Sequence, residues 1–183
     1  MDIFWHELNA YKAEIQGLQE ELTNSLANIG IGSFRNHTHF SLRVSNRAAL
    51  IVVGLCSLVE VFLYDLAANE EKKNSFKVED LKGNGLTRLQ LYLSRTGRID
   101  FGAISDWGTF MQIYILRNAF VHSYGGLIDT VFLKKVEKAV KQLKIESALV
   151  GSRRLRLSPK HLMTFHQTIE HLIEELRALR SDA

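Results

Sequence analysis

Residues 48–68 read AALIVVGLCSLVEVFLYDLAA, and no other stretch constrains the fold as much. Wound as a helix it is hydrophobic almost all round, so it belongs inside the molecule and obliges other segments to surround it. Its uncharged run ends at Val59 after twelve residues, and Glu60 and Asp65 follow. A bilayer span needs roughly 20 apolar residues. The stretch therefore reads as the central helix of a soluble bundle, about 46–69, with no membrane partner. Ser45 or Asn46 is placed to cap it. Cys56 reads as a small core residue, and a lone cysteine fits a reducing cytoplasm.

The surrounding segments are helical by the same logic. One proline in 183 residues leaves long helices uninterrupted. Phe4, Leu8, Tyr11, Ile15, Leu18 and Leu22 recur at spacings of four and three, which makes one apolar stripe on a first helix that Gly30 and Gly32 end. IGSFRNHTHFSLRVS lacks periodicity and reads as a loop. NEEKKNSFK reads as a solvated connection, and shorter helices are expected over about 86–96 and 129–144. In ESALVGSRRLRLS the period changes: Leu155 and Leu157 alternate with Arg154 and Arg156 behind a Gly-Ser turn, the pattern of a small β-hairpin. Ser158-Pro159 opens a last helix, whose seam is Leu162, Phe165, Ile169, Leu172, Leu176 and Leu179. His161, His166 and His171 recur every five residues and read as surface or seam residues. The expected fold is all-α: one domain over 1–183, an antiparallel up-and-down helical bundle with a β-hairpin inserted before the last helix. Apolar residues make up 46% and charged residues 23%, an ordinary globular balance. The net charge is +3 and the pI about 9.0, compatible with nucleic acid without demanding it.

Against that background ILRNAFVHSYGG, at 115–126, is unusual. Asp106 or a neighbour opens this helix, and Gly125 and Gly126 are expected to close it. Asn118 and His122 are four apart and stack on one face. Arg117 and Tyr124, seven apart, share a second face about 140° from His122. The polar groups fill one broad arc near the C-terminal end of an otherwise apolar helix.

Arg, a polar residue, three more residues and then His, at the end of a bundle helix that follows SLVEVFLYDLA, resembles the signature of the HEPN domain (higher eukaryotes and prokaryotes nucleotide-binding). The resemblance covers about residues 40–180. It implies a metal-independent endoribonuclease without cofactor, often a toxin or antiviral effector, in which two copies of the chain form one composite cleft. Arg117, Asn118 and His122 are the matching positions. Tyr124 extends the match to the Arg-x4-His-x-Tyr form of toxins paired with a nucleotidyltransferase antitoxin, which can adenylylate that tyrosine. This chain is longer than those compact toxins and carries the extra hairpin. Glu60 stands for the acid on the preceding helix. The partners implied are RNA, a second copy of the chain and an antitoxin, in the cytoplasm.

The chemistry suits these residue types. RNA carries its own nucleophile, the 2′-hydroxyl, so the protein need only hold it in line, move protons and stabilise charge on phosphorus. His122 is the general acid or base, Arg117 the phosphate clamp, and Asn118 the residue that orients the imidazole. Arg153, Arg154 and Arg156 would grip the RNA backbone, or else form a charged, protected hairpin edge. Plainer readings stand beside these. Arg117 reads equally as an ion-pair partner of Glu60, and His122 as a helix C-cap. The domain would then be a non-catalytic HEPN module binding RNA, nucleotide or protein, or a plain helical interaction domain. His37 and His39 have no nearby Cys or acid, and no metal site is expected there.

Overall fold

The computed structural model describes residues 3–27, 34–123, 126–151 and 153–181. The first stripe winds into helix α1 (Ile3–Ala27), and the apolar stretch lies within α2 (Phe34–Glu71). A 3-10 turn at Val78–Asp80 leads to α3 (Gly85–Arg95), then α4 (Trp107–Val121) and α5 (Thr130–Gln142). The hairpin β1 (Leu149–Val150) and β2 (Arg154–Leu155) precedes α6 (Pro159–Ser181). The fold is thus mostly helical with one small antiparallel hairpin before the last helix, as the periodicities imply.

Side-chain pairs give the directions. Phe4 meets Phe62 with ring centroids 5.2 Å apart. Further along, Arg47 pairs with both Glu14 and Glu21, so α1 and α2 run opposite ways. Between these points a Cβ on Gly54 would lie 2.0 Å from the Tyr11 hydroxyl oxygen, which is why glycine stands there. Likewise Trp5 lies under the Arg177 guanidinium at 5.1 Å, while Ile15 and Glu20 sit with Pro159 and Met163, making α1 and α6 antiparallel. Buried apolar residues from Leu8 to Leu176 form one continuous cluster. Within α2, Ala48, Val52, Leu55, Cys56, Val59 and Leu63 have no exposed surface. Each of these valines and leucines contributes roughly 1.5–3 kcal/mol of burial, before the chain-ordering cost. Among the described residues, Leu42–Glu71 is the one helix long and apolar enough to cross a membrane, and 44% of its most apolar window is buried inside this fold.

Several expectations need correction. The supposed loop before α2 is helical from Phe34, so α2 starts about a dozen residues earlier than its apolar pattern indicates. No proline interrupts it. Ser45 is consequently no cap: it is buried inside the helix, and its hydroxyl accepts from Arg156 Nη1 at 3.1 Å. His37 and His39 fall within α2, where positions two apart are about 200° apart; their side chains lie outside the described residues. Gly30 and Gly32 lie outside the described residues altogether. Of the two readings open for His166, the seam one holds: it is fully buried, with its Nε2 2.8 Å from the Leu8 carbonyl oxygen. That bond satisfies an imidazole inside the core and joins α6 to α1.

The other two histidines of α6 anchor its start and its middle. Ser158 caps the helix by accepting from the His161 amide at 3.4 Å, and the Ser158 amide returns a bond to His161 Nδ1 at 3.3 Å. This is the reciprocal arrangement of a capping box, with His in the place of the usual Glu. Burial, and after it Lys160, pushes the His161 imidazole pKa down, which suits its acceptor role. His171 instead meets Asp106 at 2.7 Å, tying α6 to the start of α4. The hydrogen bond to Asp106 raises the His171 pKa above its ordinary value. The stability from this pair is therefore complete below about pH 6.5, the ordinary imidazole value, and is lost as pH rises through the raised one. In thermal melts the wild type should exceed His171→Ala at about pH 5.5 and converge with it at about pH 9. A difference that does not change with pH would remove the charge-based account of the pair.

Candidate functional site

The site is built where α4 passes between α2 and α5. Its first part is a polar cluster in the α2–α4 seam. Tyr114 donates its hydroxyl hydrogen to Glu60 Oε1 at 2.7 Å, and Arg117 Nη2 approaches Glu60 Oε2 at 3.4 Å. The guanidinium also lies 5.3 Å from the Tyr114 ring centre and donates from Nη1 to Asn118 Oδ1 at 3.0 Å. Burial, then the bonded Glu60 carboxylate, pushes the Tyr114 phenol up, so it stays protonated and remains a donor. Arg117 Nε is buried and, among the described residues, has no hydrogen-bond partner. The Arg117 and Glu60 side chains keep 21% and 22% of their surface, so the pair is reachable from solvent. Cys56 lies behind this cluster, and burial raises its thiol, which makes it an inert core group.

The second part faces α5. α4 ends at Val121, and His122 follows as its C-cap, with its amide donating to the Asn118 carbonyl at 3.1 Å. The helix stops before the glycines. The His122 ring is exposed and stacks on Phe132 of α5, with centroids 6.3 Å apart and planes 12° from parallel. Beside it Asn118, Phe132 and Lys135 line a slot of about 120 Å³. Asn118 does not orient the imidazole as expected, because its carbonyl oxygen is turned to Arg117. Arg117 and His122 thus sit on opposite flanks of α4, one toward α2 and the other toward α5.

The third part is the hairpin. Segment 126–128 leaves α4 and lies along β2: the Leu155 amide donates to the Gly126 carbonyl at 2.9 Å and the Ile128 amide to the Arg153 carbonyl at 2.8 Å. Gly126 has φ +76°, and a Cβ there would lie 2.6 Å from the Leu155 carbonyl oxygen. Arg153 Nη2 donates to the Ile128 carbonyl at 3.1 Å, so this arginine braces the loop. Arg156 and Ser45 line a cavity of about 290 Å³ with Asn46, Leu50, Phe120 and Ser123, next to the motif. Arg156 has its pKa lowered by burial and by the nearby Arg154 charge. Arg154 lies on β2, half-buried, as the third arginine of the group. Tyr124 and Gly125 lie outside the described residues. Among the described residues no three His, Cys, Asp or Glu side chains come together as a metal-holding group.

Sequence reasoning missed Tyr114 and Phe132. Tyr114 sits three residues before Arg117, one helical turn away, and that spacing was the available signal. Phe132 had none, because nothing local announces which ring will meet His122. No protein-family model, no curated protein and no solved structure matches this chain.

Proposed function

We propose that the protein is an RNA-cutting enzyme of the HEPN type, with its cleft completed by a second copy of the chain. The observation that carries this reading is the divergence of Arg117 and His122 on α4, both within reach of solvent. One copy presents a phosphate clamp on one flank and a proton-transfer group on the other. Two copies related by a two-fold axis bring clamp and imidazole from each to a shared phosphodiester. A candidate surface for that pairing lies on α2 beside Glu60. Leu50 is 71% exposed, Val61 52% and Tyr64 62%, and their spacing puts them on one stripe of the helix.

In the reaction the RNA 2′-oxygen attacks phosphorus, losing its proton to one imidazole. The 5′-oxygen leaves and takes a proton from the other, which yields a 2′,3′-cyclic phosphate and a free 5′-hydroxyl. Arg117 holds the phosphate oxygens as charge develops on them. The family resemblance adds the expectation of a toxin or antiviral effector with an antitoxin partner. Incubation with single-stranded RNA in excess EDTA tests the core of this: cleavage to cyclic-phosphate ends is expected, and complete loss of cutting on chelation would overturn it.

The engagement of Arg117 by Glu60 favours one alternative, a HEPN module that binds RNA, nucleotide or a partner protein without cutting. Dimerisation and RNA binding without cyclic-phosphate product would be its mark.

A further inference from the structure

The chain's excess positive charge is concentrated on one element that the motif does not include. From Thr130 to Lys144 there are five lysines, Lys134, Lys135, Lys138, Lys141 and Lys144, against one acid, Glu137. That surplus of four exceeds the +3 of the whole protein, so everything outside this segment is slightly acidic. All five are exposed. Among the described residues none of their ammonium groups is held in an ion pair or hydrogen bond. Lys134, Lys138 and Lys141 follow each other at four and three residues and form one row on the outer face of α5. Lys135 turns toward the motif, where it lines the slot with Asn118 and Phe132.

Lys144 sharpens the point. It has φ +56° at the residue where α5 ends in a double-bonded cap, the Lys144 amide donating to Lys141 at 3.1 Å and the Ile145 amide to Val140 at 2.9 Å. Glycine takes this left-handed conformation without strain and is the usual residue there. The chain instead places a fifth ammonium at the end of the row.

We infer that the lysine face of α5 is a docking track for the backbone of single-stranded RNA, with Phe132 at its motif end as the ring on which a base stacks. A row of mobile cations beside an exposed aromatic ring is how proteins hold single strands without reading sequence. Phe132 is 40% exposed and already stacks on His122, so a strand held along α5 is led to the imidazole. A basic helix can also bind an anionic membrane, but that requires an apolar face to insert. Here most of that face is occupied: Val136, Ala139 and Val140 are buried in the core, which leaves only Val131 and Phe132, in the first turn of α5, as its large exposed apolar side chains. The inference rests on the ribonuclease reading for where the strand leads, and not for whether it is held.

The test uses a fluorescein-labelled, fully 2′-O-methylated single-stranded RNA, which lacks the nucleophile and cannot be cut. Its affinity is measured by anisotropy across a salt series. Wild type is compared with Lys134→Gln/Lys138→Gln/Lys141→Gln, and with Lys72→Gln/Lys82→Gln/Lys160→Gln, an equal charge loss at exposed positions elsewhere. The α5 triple should bind at least about tenfold more weakly, with the slope of log affinity against log salt reduced by about two, since each lost phosphate contact on a single strand is worth about 0.7. The control triple should stay near wild type. Equal losses in both triples would mean that only net charge matters and would overturn the proposal, as would an unchanged slope in the α5 triple. Loss of binding to phosphatidylserine vesicles with RNA binding intact would replace RNA by a membrane. Because this RNA resists cleavage, α5-dependent binding stands even where cutting of ordinary RNA is absent, and intact cutting with an unchanged slope removes the track alone.

Discussion

His122→Ala is expected to lower RNA cleavage by about 10²–10⁴-fold, the usual worth of a positioned acid or base, and to leave the melting temperature within experimental scatter. The second half of that expectation comes from the structure. The imidazole is exposed, and the one side-chain contact shown for it is the Phe132 ring, so its removal opens no cavity. Arg117→Ala should lose comparable activity, but not as cleanly. It breaks the approach to Glu60 and the bond to Asn118, and it uncovers the Tyr114 ring. A pair with about a fifth of its surface exposed is worth about 1 kcal/mol. Arg117→Lys is the more informative change: it keeps the charge near Glu60 and loses the planar fork that grips a phosphate. Initial-rate measurements on the three variants, each paired with a thermal melt, separate the roles. An unimpaired His122→Ala enzyme would end the assignment of that imidazole as the proton-transfer group.

The largest effect on stability is expected at a residue with no side chain. Gly126→Ala adds a Cβ to backbone at φ +76°, 2.6 Å from the Leu155 carbonyl oxygen. The left-handed conformation alone costs a non-glycine residue about 1–2 kcal/mol. The clash is with main chain that is hydrogen-bonded in place, so relief by side-chain rotation is not available. A loss of about 2–3 kcal/mol follows, or roughly 5–10 °C in melting temperature for a domain of this size. Gly17→Ala is the control of opposite sign. It lies inside α1 with nothing within 4 Å of a new Cβ, and alanine there should stabilise by about 0.5–1 kcal/mol. Chemical denaturation of both variants checks the pair of signs. Equal destabilisation would mean that helix propensity and backbone angle are not what distinguishes these glycines.

How much of this was legible beforehand depends on whether the signal was local. The stripe from Phe4 to Leu22, the Ser158-Pro159 start and the alternation around Leu155 are all written within one or two turns of chain, and the corresponding elements formed there. The start of α2 was hidden because Ser, Asn, Thr and His carry weak helix propensity, and extension of a stable helix outweighs it. For His166 the sequence left surface and seam both open, because the partner that decides for the seam, the Leu8 carbonyl, is 158 residues away. The site was legible in its residues and not in its contacts. Arg117 beside Glu60 was anticipated as the plainer reading, and the turn of Asn118 toward Arg117 was not. The lysines of α5 were in plain view, but only the burial of Val136, Ala139 and Val140 shows which way they point.

The clasp between β2 and segment 126–128 also bears on the order of events during synthesis. Leu155 and Arg153, which hold the exit of α4, are translated more than twenty residues after the stretch they hold. Domains begin to fold while they are being made, and until those residues leave the ribosome the end of the motif helix lacks its lock. The exit of α4 would therefore be fixed late, only after the hairpin that clasps it has emerged.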